Sequence, residues 1–393
     1  MRLKAVLRRD TAELRVEFVT EFESFEALRD PWEALAARHD EHSPGFFQSF
    51  AWARHVARVR GSGLESNYRF YIAKVMRNER LLGLWPLSLQ RKASAWLLCN
   101  LDDPYGQFAG AMFEDDTYTT QGIIAILKKV YSERLADGIR IDGVIVGSPL
   151  HTALLAAGLQ IYANHESVVV DLRAFSSFND YVKTINPKTR KNLRNMLNRL
   201  ERSGPTRSVV VTEPEQIREI IKESFTGRLN WLNDRGKSSL AFRSSDFLAI
   251  IVALPDTPSI KLQAFKLTHQ GSVVAQQWGF VFGDRYYAYI SSRDSGFEPF
   301  SVGRIHLGHV IHSCYDDAVR VLELMPPKAD YKMTWTDKTR RLDSFALSVT
   351  VRGRLILDFW LTRIDPFLRR MSHHLPQGVR RRFAAFVNIA NCI

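Results

Sequence analysis

Ala264-Phe265-Lys266-Leu267, Thr268-His269-Gln270-Gly271-Ser272, Val273-Val274-Ala275-Gln276-Gln277 reads as strand, polar turn, strand. Ile72-Ala73-Lys74-Val75, Met76-Arg77-Asn78-Glu79-Arg80, Leu81-Leu82-Gly83-Leu84-Trp85 reads the same way. The two align without a gap at an offset of 192 (264 against 72), with Lys266 on Lys74 and the small Ala275 on Gly83. Similar hairpins nearly half a chain apart suggest an internal duplication. Chance likeness between two common hairpins is the competing reading.

The surroundings of the hairpins are alike too. Before the first, 24–40 has helical periodicity through Phe25, Leu28, Trp32 and Leu35. After it come a strand at 95–99, a loop at 102–110, a helix at 121–135 and a short apolar strand at 143–146. In the second half, 186–202 is a helix stopped by Ser203-Gly204-Pro205, and 214–228 is another. Strands at 262–268, 273–282 and 285–291 form a meander with turns at Gln270-Gly271 and Gly283-Asp284. A helix at 303–317 and a strand at 319–325 follow. Each half is thus mixed α/β with a central, largely antiparallel sheet flanked by helices. The expected boundaries are 1–170, 171–345 and a basic amphipathic tail, 346–393.

The 393 residues are 45% apolar and 24% charged, which fits two ordinary cores and argues against disorder. Net charge is +12, from 54 Lys and Arg against 42 Asp and Glu. That balance favours polyanionic partners: nucleic acid, an anionic membrane surface or a phosphorylated cofactor. Cys99, Cys314 and Cys392 lie far apart, which excludes a disulfide framework or zinc ribbon and fits a reducing compartment. Met1–Thr20 has no apolar h-region, and no stretch reaches 18 apolar residues, so neither secretion nor a membrane-spanning helix is expected. The histidines are scattered and His373-His374 lacks partner ligands, so no metal is expected.

The strongest local signal is the strand at 285–291, the loop Arg293-Asp294-Ser295-Gly296-Phe297-Glu298-Pro299-Phe300, and the helix opened by Ser301-Val302-Gly303-Arg304. Leu307, Val310, Ile311 and Cys314 recur at i, i+3, i+4 and i+7, so that face packs on the sheet. A small residue in the first turn admits a phosphate to the exposed N–H groups, and Arg304 adds positive charge. Alternatively, Ser301 is only a cap and Gly303 only a turn residue.

Several ordered motifs resemble the CelD-like acetyltransferase family, a GNAT relative of cellulose and exopolysaccharide gene contexts. That family is related to the FemAB peptidyltransferases, which carry tandem GNAT folds. Phe46-Phe47-Gln48-Ser49-Phe50-Ala51-Trp52 resembles its PF-Q-S-x-x-W segment, and Leu82-Gly83-Leu84-Trp85-Pro86-Leu87 its G-x-x-P-L strand. Asp103-Pro104-Tyr105-Gly106-Gln107-Phe108 resembles its Y-x-D-F loop, with Gln107 in place of the acid. The basic helix 188–201 matches through Arg190, Arg194 and Arg199-Leu200-Glu201. Tyr289, Asp294, Ser301 and Gly303 resemble the Y-x-x-x-x-D … S-x-G segment, and Asp330-Tyr331-Lys332-Met333-Thr334-Trp335 the Y-K-x-x-W ending. One departure stands out. Glu323-Leu324-Met325-Pro326-Pro327 replaces the usual Asp-Phe-x-x-Gly.

The resemblance implies tandem GNAT-like domains and a cytoplasmic acyltransferase. Such an enzyme moves an acyl group from acetyl-CoA or a longer acyl-CoA directly to an amine or hydroxyl. The implied acceptor is a small molecule, glycan or lipid-linked precursor of the envelope or an exopolysaccharide. It assigns Gln276, Gln277, Ser301, Gly303 and Arg304 to the donor, with backbone N–H groups of 276–279 on the thioester carbonyl. Asp294 is then a base or acceptor clamp, unless it is an Asx-turn residue. Tyr289 or Tyr331 would return a proton to the thiolate. Lys332, Trp335, Gln48 and Tyr105 would bind acceptor, although Lys332 also reads as a solvated surface lysine. The alternatives are an aminoacyl-tRNA-dependent transferase of FemAB type and a non-catalytic scaffold of a polysaccharide synthase.

Two basic segments remain. In 188–202, Lys188, Arg190, Lys191, Arg194, Arg199 and Arg202 stand against the single acid Glu201. They form either a solvated face or a contact with an anionic acceptor, tRNA or CoA phosphate. The tail holds Phe359, Trp360, Leu361, Phe367 and Leu368, then Arg369, Arg370, Arg380, Arg381 and Arg382. It either docks on the core or lies on the inner face of an anionic membrane.

Overall fold

A computed structural model of the chain describes residues 13–37, 45–61, 67–92, 94–237, 239–364, 367 and 371. The strands are β1 (Arg15–Val19), β2 (Tyr68–Arg77), β3 (Arg80–Lys92), β4 (Ala95–Asn100), β5 (Met112–Phe113), β6 (Gly138–Ile145) and β7 (Gln160–Asp171). They continue with β8 (Thr206–Val211), β9 (Lys261–His269), β10 (Ser272–Phe282), β11 (Arg285–Arg293), β12 (Val321–Glu323) and β13 (Thr339–Ser348). Two compact units result. The first holds the described residues of 1–164, 235–246 and 341–393, the second 165–234 and 247–340. The first unit therefore takes in 235–246 as well as the residues of β13 from Arg341 onward. A tail beginning at 346 would cut through β13, whose Leu342, Phe345 and Ala346 are buried.

Both units use one strand order. In the first, β1, β2, β3 and β4 are antiparallel neighbours, β6 lies parallel to β4, and β13 runs antiparallel to β6. In the second, β8, β9, β10 and β11 are antiparallel neighbours, β12 lies parallel to β11, and β7 runs antiparallel to β12. The fold is mixed α/β, one predominantly antiparallel sheet per unit, as the periodicity implies.

The hairpin match extends to single residues. Lys74 faces Leu84 and Lys266 faces Gln276; Val75 faces Gly83 and Leu267 faces Ala275. Each register then skips one residue, Leu82 in the first hairpin and Val274 in the second, before Met76 faces Leu81 and Thr268 faces Val273. The five-residue turn expected at 76–80 shrinks to two residues, matching the expected Gln270-Gly271 turn of the second hairpin. Asn78-Glu79 has φ of 47° and 63°, and Gln270-Gly271 has 50° and 80°, the double left-handed geometry that matches strand twist. A bulge and a turn conserved at the same offset are hard to attribute to chance, and duplication is the simpler account.

Helix Val302–Asp316 shows why the second unit is ordered. Its Leu307, Val310, Ile311 and Cys314 join a core with Val168, Val170, Phe265, Tyr286 and Leu322. Each such burial is worth ~1.5–3 kcal/mol. Gly308 lets the Trp335 indole approach the helix closely, since a Cβ there would stand 2.3 Å from the indole Cζ2. Gly308→Ala is therefore expected to destabilise the fold by ~1–3 kcal/mol through overpacking. The readout is the urea midpoint, and an unchanged midpoint would refute the contact.

Helix Pro187–Ser203 starts at the Asn186 cap, whose side chain accepts from Lys188 N at 2.9 Å, and stops at Gly204. The strand expected at 319–325 shortens to β12. Met325 adopts left-handed φ of 60° and two prolines follow, so the ladder cannot continue. Among the described residues, no helix is long and apolar enough to cross a membrane. Arg369, Arg370, Arg380, Arg381, Arg382 and the run 383–387 lie outside the described residues, as does Cys392.

Candidate functional site

The parallel pair β11/β12 has a short register, Arg285 on Val321 to Tyr287 on Glu323. β11 runs six residues further, 288 to 293, while β12 has ended and Leu324 N donates to Val168 O at 2.8 Å. The strands thus part, and one edge of β11 beyond Tyr287 has no backbone partner among the described residues. Backbone groups on such an edge need partners, and a bound amide-rich chain can supply them. The 276–279 amides expected to hold a carbonyl sit in β10, which is laddered to β9 on one side and β11 on the other. The open edge lies one strand over.

Register assigns the faces. Ala275 packs with Val302 and Ile305 of helix 302–316, whereas Trp278 Nε1 donates to Ser224 Oγ at 3.0 Å on helix Pro214–Asp234. Gln277, opposite Ser291, therefore faces helix 302–316. Gln276, opposite Ser292, faces helix 214–234, where a Cβ on Gly227 would meet Ser292 Cβ at 3.1 Å. Both glutamines are buried, and Gln277 Nε2 and Gln276 Oε1 lack hydrogen-bond partners among the described residues. An unmet buried amide costs ~1–3 kcal/mol, so it points to a ligand or water.

Tyr289 falls at the β10/β11 bulge, its ring 5.2 Å from Trp278, 5.0 Å from Phe280 and 6.2 Å from Phe247. Tyr331 is separate, with its hydroxyl hydrogen-bonded to Ser291. Burial raises the Tyr331 pKa, opposed by that bond and by the charges of Arg228 and Arg293. Lys332 is not on the surface. It is 6% exposed, and Nζ donates to Met325 O at 2.6 Å and Pro327 O at 3.0 Å. It thereby holds the segment that replaces the expected Asp-Phe-x-x-Gly. Burial, reinforced by the positive Arg228, pushes Lys332 down to about 7. A neutral amine keeps two N–H donors, enough for both carbonyls.

At the helix start Ser301 is left-handed with φ of 54° and makes no side-chain cap bond. Around Gly303 a Cβ would find Arg293 Cδ no nearer than 3.5 Å. The Arg293 guanidinium thus borders the first turn. Arg304 follows, its own carbonyl accepting from Trp335 Nε1 at 3.0 Å. The Arg304 side chain has no acceptor among the described residues and lines a groove of about 790 Å³. Helix 187–203 forms one wall through Thr189, Asn192, Leu193 and Met196, and 330–338 forms another.

Asp294 is an exposed Asx cap, Oδ1 accepting from Gly296 N at 2.8 Å, which is the turn reading. Gln48 and Tyr105 belong to the first unit and are internally bonded. Gln48 Nε2 donates to Phe108 O at 2.5 Å, and the Tyr105 hydroxyl meets Ser244 Oγ at 2.5 Å. Within the second unit the structure thus gathers Gln277, Ser301, Gly303, Arg304, Tyr331, Lys332 and Trp335, and turns Gln276, Tyr289 and Asp294 to other partners or to solvent; Gln48 and Tyr105 belong to the first unit. Ser291, Arg293 and Arg228 were missed. A polar Ser291-Ser292-Arg293 run at the end of an apolar strand is the signal that could have exposed the first two.

Residues 187–333 match the family model for the GNAT acetyltransferase domain. The structure of FemX aligns over 88% of this chain and 99% of its own, with 10% identity and a TM-score of 0.56. The C-terminal DUF2156 domain assigned to a lysylphosphatidylglycerol synthetase of Agrobacterium fabrum aligns over 85% of this chain and 96% of its own, with 14% identity and a TM-score of 0.52. A tandem GNAT protein of the clavulanic acid pathway aligns over 85% and 99%, with 10% identity and a TM-score of 0.49. No curated protein sequence matches significantly. Residues 187–333 thus match a GNAT acetyltransferase domain, within a chain that shares the fold of FemX.

Proposed function

We propose that the second unit is an acyl-CoA-dependent N- or O-acyltransferase. The observation that carries this reading is the parting of β11 from β12 beside a helix start flanked by Arg293 and Arg304. Donor phosphates would sit on the first turn, with the Arg304 side of the groove taking the nucleotide end. Pockets for ligands of that size run ~300–1,000 Å³, and the groove falls in that range. The pantetheine arm would run along β11 beyond Tyr287, pairing its amides with the open edge.

The acceptor amine or hydroxyl attacks the thioester carbon. The new bond to carbonyl carbon forms, the C–S bond breaks, and the acceptor's proton passes to neutral Lys332. The Tyr331 hydroxyl supplies a proton to the departing thiolate, with Ser291 orienting it. A base near pKa 7 suits this work. The ordered family motifs favour an envelope or exopolysaccharide acceptor. Calorimetric titration with acetyl-CoA and longer acyl-CoAs tests the reading, and no binding of any of them would sink it.

A second reading is aminoacyl transfer from tRNA. Lys188, Lys191, Arg194 and Arg202 are exposed on helix 187–203 and have no ion-pair partner among the described residues. Binding of tRNA that weakens steeply with salt would favour it. Salt-insensitive or absent tRNA binding would remove it.

A further inference from the structure

We propose that the helical segment 351–364 of the first unit docks on an anionic lipid surface. Its inner face is already used. Leu357, 1% exposed, packs with Leu97, Cys99 and Ala346, and Ile356 and Leu361 lie against the same cluster. The outer face is apolar as well. Val351 is 71% exposed, Leu355 62% and Phe359 52%. A helix anchored on one side has no folding need for large apolar groups on the other, and such a stripe marks an interaction site.

Charge selects the occupant. Arg352, Arg354 and Arg363 are exposed on the same segment. Asp358, its only acid, hydrogen-bonds Ser348 Oγ at 2.6 Å. The sequence beyond, 365–393, adds Arg369, Arg370, Arg380, Arg381 and Arg382 against the single acid Asp365. Arginines interleaved with leucine and phenylalanine suit a layer that is anionic outside and apolar beneath. Nucleic acid would use the arginines and leave Leu355 and Phe359 wet. A second copy would bring the same positive charge against itself.

The test is co-sedimentation of the full chain with vesicles of phosphatidylcholine, alone or mixed with phosphatidylglycerol. Binding is expected only to the mixed vesicles and should fall as salt rises. Leu355→Ser with Phe359→Ser should weaken partitioning by on the order of a hundredfold. Removing Arg352, Arg354 and Arg363 as alanines should cost about fivefold per charge. Both variants change exposed side chains, so circular dichroism should be unaltered; if the serine pair fails to fold, the arginine set decides alone. No binding to mixed vesicles, equal binding to both kinds, or binding unaffected by either variant overturns the proposal. So does an oligomer in light scattering that the serine pair dissolves without any vesicle binding.

Discussion

Lys332→Met is expected to lower kcat by on the order of 10²–10⁴ and to abolish a rise of rate with pH centred near 7. The reasoning starts from burial. Desolvation and the charge of Arg228 bring Lys332 to about 7, so at neutral pH a large share is the free amine. Only that form has a lone pair to accept the acceptor's proton. In the native enzyme, rate should therefore climb through pH 7 and level off above it. Lys332→Arg separates chemistry from scaffolding, because a guanidinium can still donate to Met325 O and Pro327 O but does not lose its proton. A purely structural Lys332 would leave the arginine variant active with an unchanged profile.

Stability gives an independent readout of the same group. The folded pKa of Lys332 lies below its unfolded value of 10.5. The unfolded chain thus binds more protons between the two, and stability must rise with pH across that window. Below pH 7 the cost of burying the ammonium is present in full; it is relieved progressively up to about 10.5. The gain is bounded at roughly 4–5 kcal/mol. Lys332→Met removes this slope but leaves two carbonyls unserved, at ~1–3 kcal/mol each. A denaturation midpoint of native protein that falls between pH 7 and 10, relative to the methionine variant, would contradict the burial.

The two hairpins were legible because their signal is local, whereas the strands at 15–19, 160–171, 206–211 and 339–348 were not read from sequence. Alternating apolar residues on either side of Asn78-Glu79 and Gln270-Gly271 specify hairpins, and the matched offset exposed the repeat. Helix 302–316 was legible from Leu307, Val310, Ile311 and Cys314 for the same reason. Lys332 was not. Between exposed Asp330 and partly buried Met333, a lysine looks like a solvated one. Its burial depends on Met325 turning left-handed and folding two carbonyls over it, a consequence of tertiary packing. Tyr289 and Asp294 misled through sequence proximity to Ser301. A one-residue bulge sent Tyr289 into the Trp278 and Phe280 cluster, and a local cap consumed Asp294. Ser291 escaped notice because its partner, Tyr331, is 40 residues away (331 against 291).

Arg304→Glu is expected to weaken CoA binding by on the order of a hundredfold to a thousandfold. A charge-assisted hydrogen bond is worth ~1.5–3 kcal/mol, and reversing the charge adds repulsion of ~1 kcal/mol where water screens the pair fully. The side chain has no acceptor to lose among the described residues, so the change should leave the urea midpoint nearly unaltered. Arg293→Glu, at the other flank of Gly303, should act in the same direction. The pair should be less than additive, because both would hold one pyrophosphate and share its charge. Lys188→Glu, on the exposed side of helix 187–203, should leave CoA binding unchanged while weakening any tRNA binding. That contrast separates the two donors. If Arg304→Glu and Arg293→Glu spare CoA affinity, the helix start is a capped turn and nothing more, and the donor must enter elsewhere along the β11 edge. If CoA affinity collapses while tRNA affinity holds, the positive flank of the first turn is a phosphate site, and the basic helix belongs to a different partner.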